Sequence, residues 1–170
     1  GITRANRLIC ADATGGIFVT LFYALLNPRS GDLTYVNGGH NPPLLCRATA
    51  KSQDQNQWLT RTGMALGVLA DTLYEQHTLH LEPGDFLVLY TDGVTDATAT
   101  AATAPIPTFG MERLQRLVFE HRQAPATDIM AALEDALDDF TTPDVSAAPI
   151  ANASEAVPFD DIAMMVIKYL

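Results

Sequence analysis

Residues 86–96 read FLVLYTDGVTD, and this stretch decides the fold because five consecutive apolar residues stop at an acid followed by glycine. A continuous apolar run, rather than an alternating one, predicts a central strand buried on both faces. Asp92 then lies at the strand's C-terminal end, with no Lys or Arg in the next ten residues. A desolvated carboxylate needs a hydrogen bond, a base or a cation. Gly93 permits a sharp turn and close approach to that carboxylate, so the pattern fits a metal ligand, although taken alone it favours an ordinary Asp-Gly turn.

Composition limits the classes of function. The 170 residues suffice for one domain, and the net charge of −10 argues against binding to nucleic acid or to anionic membrane surfaces. We find neither an apolar run that could span a bilayer nor the apolar core of a signal peptide, so we expect a cytoplasmic domain without direct membrane insertion, although the full protein could carry an anchor elsewhere. Cys10 and Cys46 lack any Cys-x-x-Cys spacing and are expected to be reduced thiols.

Apolar patterning predicts an α+β chain. Strands are expected at residues 17–26, 32–37, 44–47, 73–81, 86–90 and 159–170, with the middle ones forming one antiparallel meander. Helices are expected at residues 3–11, 111–121 and 127–140, with Thr127 as the N-cap of the last. Met164 and Met165 are interpreted as core residues of the final strand.

The final strand mirrors the opening stretch. Asp160 and Asp161 precede its apolar residues, whereas Asp92 follows those of its own strand. If the two strands are antiparallel neighbours, the three carboxylates meet at one edge of the sheet. Cations are what relieves the repulsion in such a cluster at low cost.

Six segments carry a family resemblance. They are Phe18–Tyr23, Tyr35–Pro43, Gly63–Val68, Tyr90–Thr95, Phe109–Leu114 and Asp160–Ile162. In order and spacing they resemble the bacterial PPM-type (PP2C-like) serine phosphatases, in the branch of the stage II sporulation phosphatase and the phosphatases that regulate stress sigma factors. The resemblance covers nearly the whole chain.

The resemblance implies an antiparallel β-sandwich flanked by helices, with two Mn²⁺ or Mg²⁺ ions in a complete domain. It implies hydrolysis of a phosphoserine or phosphothreonine on a regulatory protein, such as an anti-sigma-factor antagonist, by a metal-activated water. Asp92 and Asp160 match metal-binding acids, and Asp161 is the neighbouring acid, a helper ligand or a residue of the surrounding shell. Gly93 supports the site through its backbone. Asp96 stands where the family usually has Glu, which leaves its role open.

The sequence departs from the family pattern in the acids that precede Asp92. The acids before Asp92 do not occupy the context of the family's first Asp-bearing strands or of its other Asp-Gly motif. Residues 1–170 are therefore expected to be a truncated phosphatase domain that binds metal weakly or not at all and is itself inactive. An upstream sensor or regulatory domain is expected in the full protein, and homodimerisation through exposed apolar surface is one expected consequence of truncation.

Two interpretations remain open. The alternative to an enzyme is a non-catalytic, phosphatase-like module that binds or regulates a protein partner. A similar choice applies to Gly39-His40-Asn41, the segment that matches the family most clearly. His40 and Asn41 either take part in catalysis or hydrogen-bond the backbone of their own loop, and the pattern favours the loop role. A Ser-His-Asp hydrolase is excluded because no Gly-x-Ser-x-Gly turn occurs.

Overall fold

A computed structural model describes residues 1–12, 16–99, 107–142 and 161–170. Its helices are α1 (Ile2–Asp12), α2 (Asp92–Thr95), α3 (Gly110–Glu120) and α4 (Ala126–Thr141). Its strands are β1 (Leu21–Leu26), β2 (Asp32–Gly38), β3 (Leu44–Cys46), β4 (Gln57–Trp58), β5 (His77–His80), β6 (Phe86–Tyr90) and β7 (Met164–Lys168). A short 3₁₀ turn covers Gln53–Gln55. Within these ranges, none of the helices is long and apolar enough to cross a bilayer.

The strands form two antiparallel sheets, which confirms the predicted sandwich. One sheet has the order β1-β2-β5 and the other β4-β3-β6-β7. The expected single meander is wrong, because the chain changes sheets after β2, between β4 and β5, and again between β5 and β6. The constrained loop at residues 39–43 makes the first change, and β5 then returns to pair with β2, with Leu33 opposite Leu79.

Strand β6 is central and buried on both faces, as the continuous apolar run predicts. It pairs with β3 on one side and with β7 on the other. Phe86, Val88 and Tyr90 pack into a core shared with α3 and α4. Leu87 points to the opposite face, into a second core between the two sheets. Alternation along the strand therefore supplies both cores of the domain.

Helix α1 is anchored by a polar contact. Asn6 is fully buried, and its side-chain amide donates to the carbonyls of Leu69 (2.9 Å) and Ala70 (3.2 Å). Its side-chain oxygen accepts from the backbone N–H of Gly67 at 2.9 Å. This one side chain fixes the loop of residues 67–70 against the helix, and it satisfies backbone groups that would otherwise be costly to bury.

Several local predictions differ from the structure; strand β5, for example, is His77–His80 rather than residues 73–81. Strand β1 begins at Leu21 because the preceding residues make only an isolated bridge, in which Val19 and Leu66 exchange two backbone hydrogen bonds of 2.8 Å. Helix α4 begins at Ala126 after Pro125, so Thr127 is not its N-cap. Met165 is 55% exposed, because it projects from β7 on the face opposite to the helices.

Both cysteines are free thiols, and they differ in burial and therefore in expected reactivity. Cys46 is fully buried in the helix-facing core, and burial raises its pKa to about 12, whereas Cys10 is half-buried on α1. Since the thiolate is the reactive form, we expect one equivalent of thiol reagent to react with the native protein at pH 8 and two after unfolding. Mass spectrometry of the labelled protein checks this, and Cys10→Ser should remove the native label. Rapid native labelling of Cys46 would contradict the packing described here.

Candidate functional site

The ends of β6 and β7 are tied together by Thr91. Its backbone N–H donates to the carbonyl of Ala163 at 3.0 Å, and the backbone N–H of Ala163 donates to its Oγ1 at 2.9 Å. The same hydroxyl donates to the carbonyl of Asp161 at 2.7 Å. These bonds continue the pairing beyond Tyr90 and Met164, the last partners in the ladder. The backbone that carries Asp161 is thereby held against the residue that precedes Asp92.

Asp92 begins the one-turn helix α2 directly at the end of β6. Its carboxylate is on the exposed side, while Gly93 and Val94 are buried beneath it. The backbone N–H of Asp96 donates to the carbonyl of Asp92 at 2.8 Å and closes the turn. The predicted Asp-Gly turn is thus a short helix that presents Asp92 and Asp96 to solvent.

The predicted juxtaposition of strands 86–90 and 164–168 is confirmed, because β6 and β7 are antiparallel neighbours. It brings the backbone of Asp161 to the end of β6 where Asp92 begins α2. Asp160, the other acid predicted there, lies outside the described residues. A role for these three acids in metal binding stays a prediction.

Asn37, which the sequence analysis did not single out, organises the loop of residues 38–43. It is fully buried at the end of β2, and its Oδ1 accepts from the backbone N–H of His40 at 2.9 Å. Its Nδ2 donates to the carbonyl of Leu59 at 3.1 Å, and its backbone N–H donates to Oγ1 of Thr62 at 3.0 Å. The polar residue in an otherwise apolar strand end was the available signal, because a buried amide must be bonded.

Close packing fixes the position of the Gly39-His40-Asn41 loop. Gly39 has a φ of +78°, and a Cβ there would lie 2.8 Å from the backbone nitrogen of Ala65. Both the left-handed conformation and the space therefore require glycine. The backbone of His40 is set by Asn37, rather than by the His and Asn side chains of the loop itself as the sequence interpretation favours.

The ring of His40 is half-buried, in the loop between β2 and β3. Its Nδ1 lies 3.4 Å from Oγ1 of Thr20, just before β1. Burial lowers the pKa of His40, and the negative charge of Asp92 opposes this shift. Leu44 pairs with Val88, so the loop before β3 that carries His40 lies at the end of β6 that leads to Asp92. A largely neutral imidazole there can exchange hydrogen bonds without adding charge.

The described residues have the chemistry of divalent-cation ligands, but they are too few to form a complete metal site. Carboxylate and carbonyl oxygens are the ligands preferred by Mg²⁺ and Mn²⁺, and Asp92 and Asp161 are exposed acids adjoining the linked ends of β6 and β7. Throughout the described ranges, however, no group of three or more His, Cys, Asp or Glu side chains could hold a metal ion. The described part of the chain therefore supplies part of a cation site at most.

Solved structures identify the fold. The chain superimposes on the phosphatase domain of the cell fate determinant SpoIIE from Bacillus subtilis with a TM-score of 0.58 and 15% identity, over 98% of this chain and 64% of that one. For the RsbU and RsbW domains of Rv1364c from Mycobacterium tuberculosis the TM-score is 0.67, with 19% identity, over 95% and 39% of the two chains. The SiaA-PP2C domain of Pseudomonas aeruginosa gives a TM-score of 0.60 with 18% identity, over 83% and 48%. The fold is that of PP2C-like phosphatases.

Comparison of sequences identifies the family of phosphatases to which the chain belongs. Residues 1–170 match the family described as Stage II sporulation protein E (SpoIIE), and the chain belongs to that family of PP2C-type serine phosphatases. It is 32% identical over 151 residues to phosphoserine phosphatase RsbU of Bacillus subtilis (strain 168), and 28% identical over 151 residues to protein IcfG of Synechocystis sp. (strain ATCC 27184 / PCC 6803 / Kazusa). These alignments cover 82% and 89% of this chain, but only 42% and 20% of the two relatives.

The Thr91 hydroxyl yields a prediction about stability. Thr91→Val keeps the side-chain shape but leaves the Asp161 carbonyl and the Ala163 N–H without their partner, so the free energy of unfolding should fall by about 1 kcal/mol. Amide hydrogen exchange at Ala163 should also accelerate. Denaturant unfolding and exchange detected by NMR measure the two effects. The control is Thr60→Val, at an exposed threonine whose hydroxyl makes no hydrogen bond within the described residues; equal effects from both variants would contradict the role of Thr91.

Proposed function

We propose that the chain is part of a metal-dependent phosphatase domain that hydrolyses phosphoserine or phosphothreonine on a regulatory protein. The observation that carries the proposal is the Thr91 linkage, which holds the backbone of Asp161 at the end of β6, where Asp92 begins α2. Membership of the SpoIIE family gives this arrangement its chemical context. The name of the relative RsbU, phosphoserine phosphatase, supports the substrate class.

Asp92 and Asp161, with Asp160, are the proposed ligands of Mn²⁺ or Mg²⁺, and Gly93 and Asp96 form the backbone and side-chain surroundings of Asp92. A bound divalent ion supplies a water of lowered pKa and neutralises charge on the phosphoryl oxygens. Structures of relatives described as soaked with manganese or in complex with magnesium support the choice of ions. The remaining ligands of a two-ion site are proposed to come from parts of the phosphatase domain that this sequence does not include.

Three residues of this chain are proposed to position parts of the site. Thr91 fixes the backbone of Asp161 beside the end of β6, and Asn37 fixes the loop that carries His40. His40, beside Thr20 and in the loop at the end of β6 that leads to Asp92, is proposed to form one wall of the site. A neutral imidazole at this wall can accept or donate a hydrogen bond to a phosphoserine segment while the nearby acids keep their charge for the cation.

The proposed context is a cytoplasmic, multidomain regulator. One structural relative combines RsbU and RsbW domains in a single chain, and another structure contains a PP2C phosphatase domain with a fragment of a regulatory domain. These relatives support an attached regulatory domain in the full protein, and we propose a phosphoprotein substrate such as an anti-sigma-factor antagonist. Homodimerisation remains an expectation.

A non-catalytic binding module is the second candidate. The observation that favours it is the lack of a three-ligand metal cluster within the described parts of the chain. The two candidates differ in whether a protein with the complete domain turns over a phosphoserine peptide with Mn²⁺ present.

Substitution of Asp92 tests the enzymatic proposal. In a protein comprising the complete phosphatase domain, Asp92→Asn should lower kcat/KM for a phosphoserine peptide with Mn²⁺ by at least about 100-fold, because the neutral amide is a poor ligand for a hard cation. Circular dichroism should show that the fold is kept, since the carboxylate is exposed. Asp54→Asn, at an exposed acid of the 3₁₀ turn, serves as the control. Wild-type rates in the Asp92 variant would remove this residue from the site.

A further inference from the structure

An apolar groove adjoins the candidate site. It has a volume of about 420 Å³, and its lining includes Phe18, Thr20, Gly39, Arg61, Met64 and Val68. Three of these side chains are large, apolar and exposed: Phe18 at 60%, Met64 at 48% and Val68 at 51%. Apolar side chains gathered around one open groove are typical of surfaces that bind a partner.

The groove is rigidly built. The paired hydrogen bonds between Val19 and Leu66 hold the segment of Phe18 against that of Met64. Gly67 has a φ of +92°, and a Cβ there would lie 2.9 Å from the carbonyl oxygen of Ile17. Its backbone N–H is bonded to the buried Asn6 of α1. A groove with a fixed backbone loses little conformational freedom when it binds a segment.

The groove and the candidate site share an edge. Thr20 lines the groove, and its hydroxyl lies 3.4 Å from Nδ1 of His40. Gly39, the residue before His40, also lines the groove. A segment lying in the groove would therefore pass beside His40, in the loop before β3, and toward the end of β6 where Asp92 begins α2.

The charge on the groove is opposite to that of the molecule as a whole. Arg61 is exposed in a chain with a net charge of −10, and within the described residues it makes neither an ion pair nor a side-chain hydrogen bond. A negatively charged segment is repelled by most of this surface and attracted at Arg61. Such complementarity selects partners and speeds their association.

We propose that this groove docks the substrate protein of the proposed phosphatase, as a segment in which an apolar side chain lies among Phe18, Met64 and Val68 while an acidic side chain faces Arg61. The phosphoserine of that segment then lies at the His40 and Asp92 end. The inference rests on the proposed function and adds a specificity determinant to it. The continuity with the site through Thr20 and Gly39, together with the free charge of Arg61, favours this occupant over a second copy of the chain.

The test compares a large substrate with a small one in a protein comprising the complete phosphatase domain. Phosphoserine peptides carry leucine at each flanking position in turn, with alanine elsewhere and an acidic residue in every peptide, and p-nitrophenyl phosphate is the substrate too small to reach the groove. For the wild type, leucine at one position should raise kcat/KM by about tenfold, which is the effect expected of burying part of one apolar side chain. Met64→Gln should abolish this advantage and leave p-nitrophenyl phosphate turnover within about twofold of wild type.

The charge of Arg61 is tested separately. Arg61→Glu should lower kcat/KM for the acidic peptides by about tenfold at low salt, with a smaller effect at high salt, because exposed charges are screened. Matched controls are Met165→Gln on β7 and Arg116→Glu on α3, two exposed residues outside the groove. Both controls should behave as wild type.

Binding provides a measurement that does not depend on turnover. Fluorescence anisotropy of the labelled leucine peptide, with a chelator present, should show weaker binding to Met64→Gln and Arg61→Glu than to their controls. Equal losses on the peptide and on p-nitrophenyl phosphate, or equal effects of a groove variant and its control, would overturn the docking proposal. A changed oligomeric state in Met64→Gln without an effect on the peptide would also overturn it and assign the groove to a second copy. If the wild type hydrolyses neither substrate, the proposed function fails and the anisotropy alone decides on docking.

Discussion

The pairing of β6 with β7 is the constraint on which the rest of the structure depends. Strand β6 is hydrogen-bonded on both sides and contributes side chains to both cores, so its position is fixed by backbone and packing together. Phe86 and Val88 are fully buried, and each such side chain contributes about 1.5–3 kcal/mol. Because a one-residue shift in register would exchange the side chains of the two cores, the residue at which the strand ends is also fixed. The hydrogen bond from the Thr91 hydroxyl then fixes the segment of Asp161 relative to the end of β6.

Three buried or half-buried polar side chains fix the backbone segments that form the candidate site and the neighbouring groove. Thr91 joins the ends of β6 and β7, Asn37 shapes the loop of His40, and Asn6 fixes the loop of residues 67–70. Each bonds backbone groups in a segment distant in sequence. Such bonds are costly to leave unmade, which is why they specify loop positions more sharply than apolar packing does. The candidate site and the neighbouring groove both depend on them.

Apolar periodicity was sufficient to predict most elements but not their arrangement. The run at residues 86–90 predicts β6, and the amphipathic pattern places α3 within a residue at each end. Periodicity carries no information on which strands pair, so the single predicted meander is wrong and the chain forms two sheets. The apolar pattern around Val19 is typical of a strand, yet within the described residues its backbone pairs only with Leu66, in a remote turn. Thr127 resembles an N-cap, but Pro125 already supplies a suitable backbone before Ala126.

The candidate site was predictable where it coincides with strand ends. Asp92 and Asp161 flank apolar runs, and antiparallel pairing is the one assumption needed to bring those strand ends together. Thr91 was missed because its importance lies in tertiary hydrogen bonds to residues 70 or more positions away, a relation that a single sequence does not display. Asn37 offered a signal as a polar residue at an apolar strand end, but its bonds to the segment of Leu59 and Thr62 could not be read from the sequence. The sequence pattern placed Asp92 and Asp161 at strand ends, and the structure adds that both are exposed there.

The most direct test of the central claim, that the linked ends of β6 and β7 form one cation-binding edge, is a Mn²⁺ titration of this chain followed by NMR. Paramagnetic broadening acts over short distances and detects weak binding. The amide signals of residues 92–96 and those of residues 161–163 should broaden together at the lowest Mn²⁺ concentrations, before those of the acidic end of α4 near Asp138 and Asp139. Broadening that begins at α4 and spares both strand ends would contradict it.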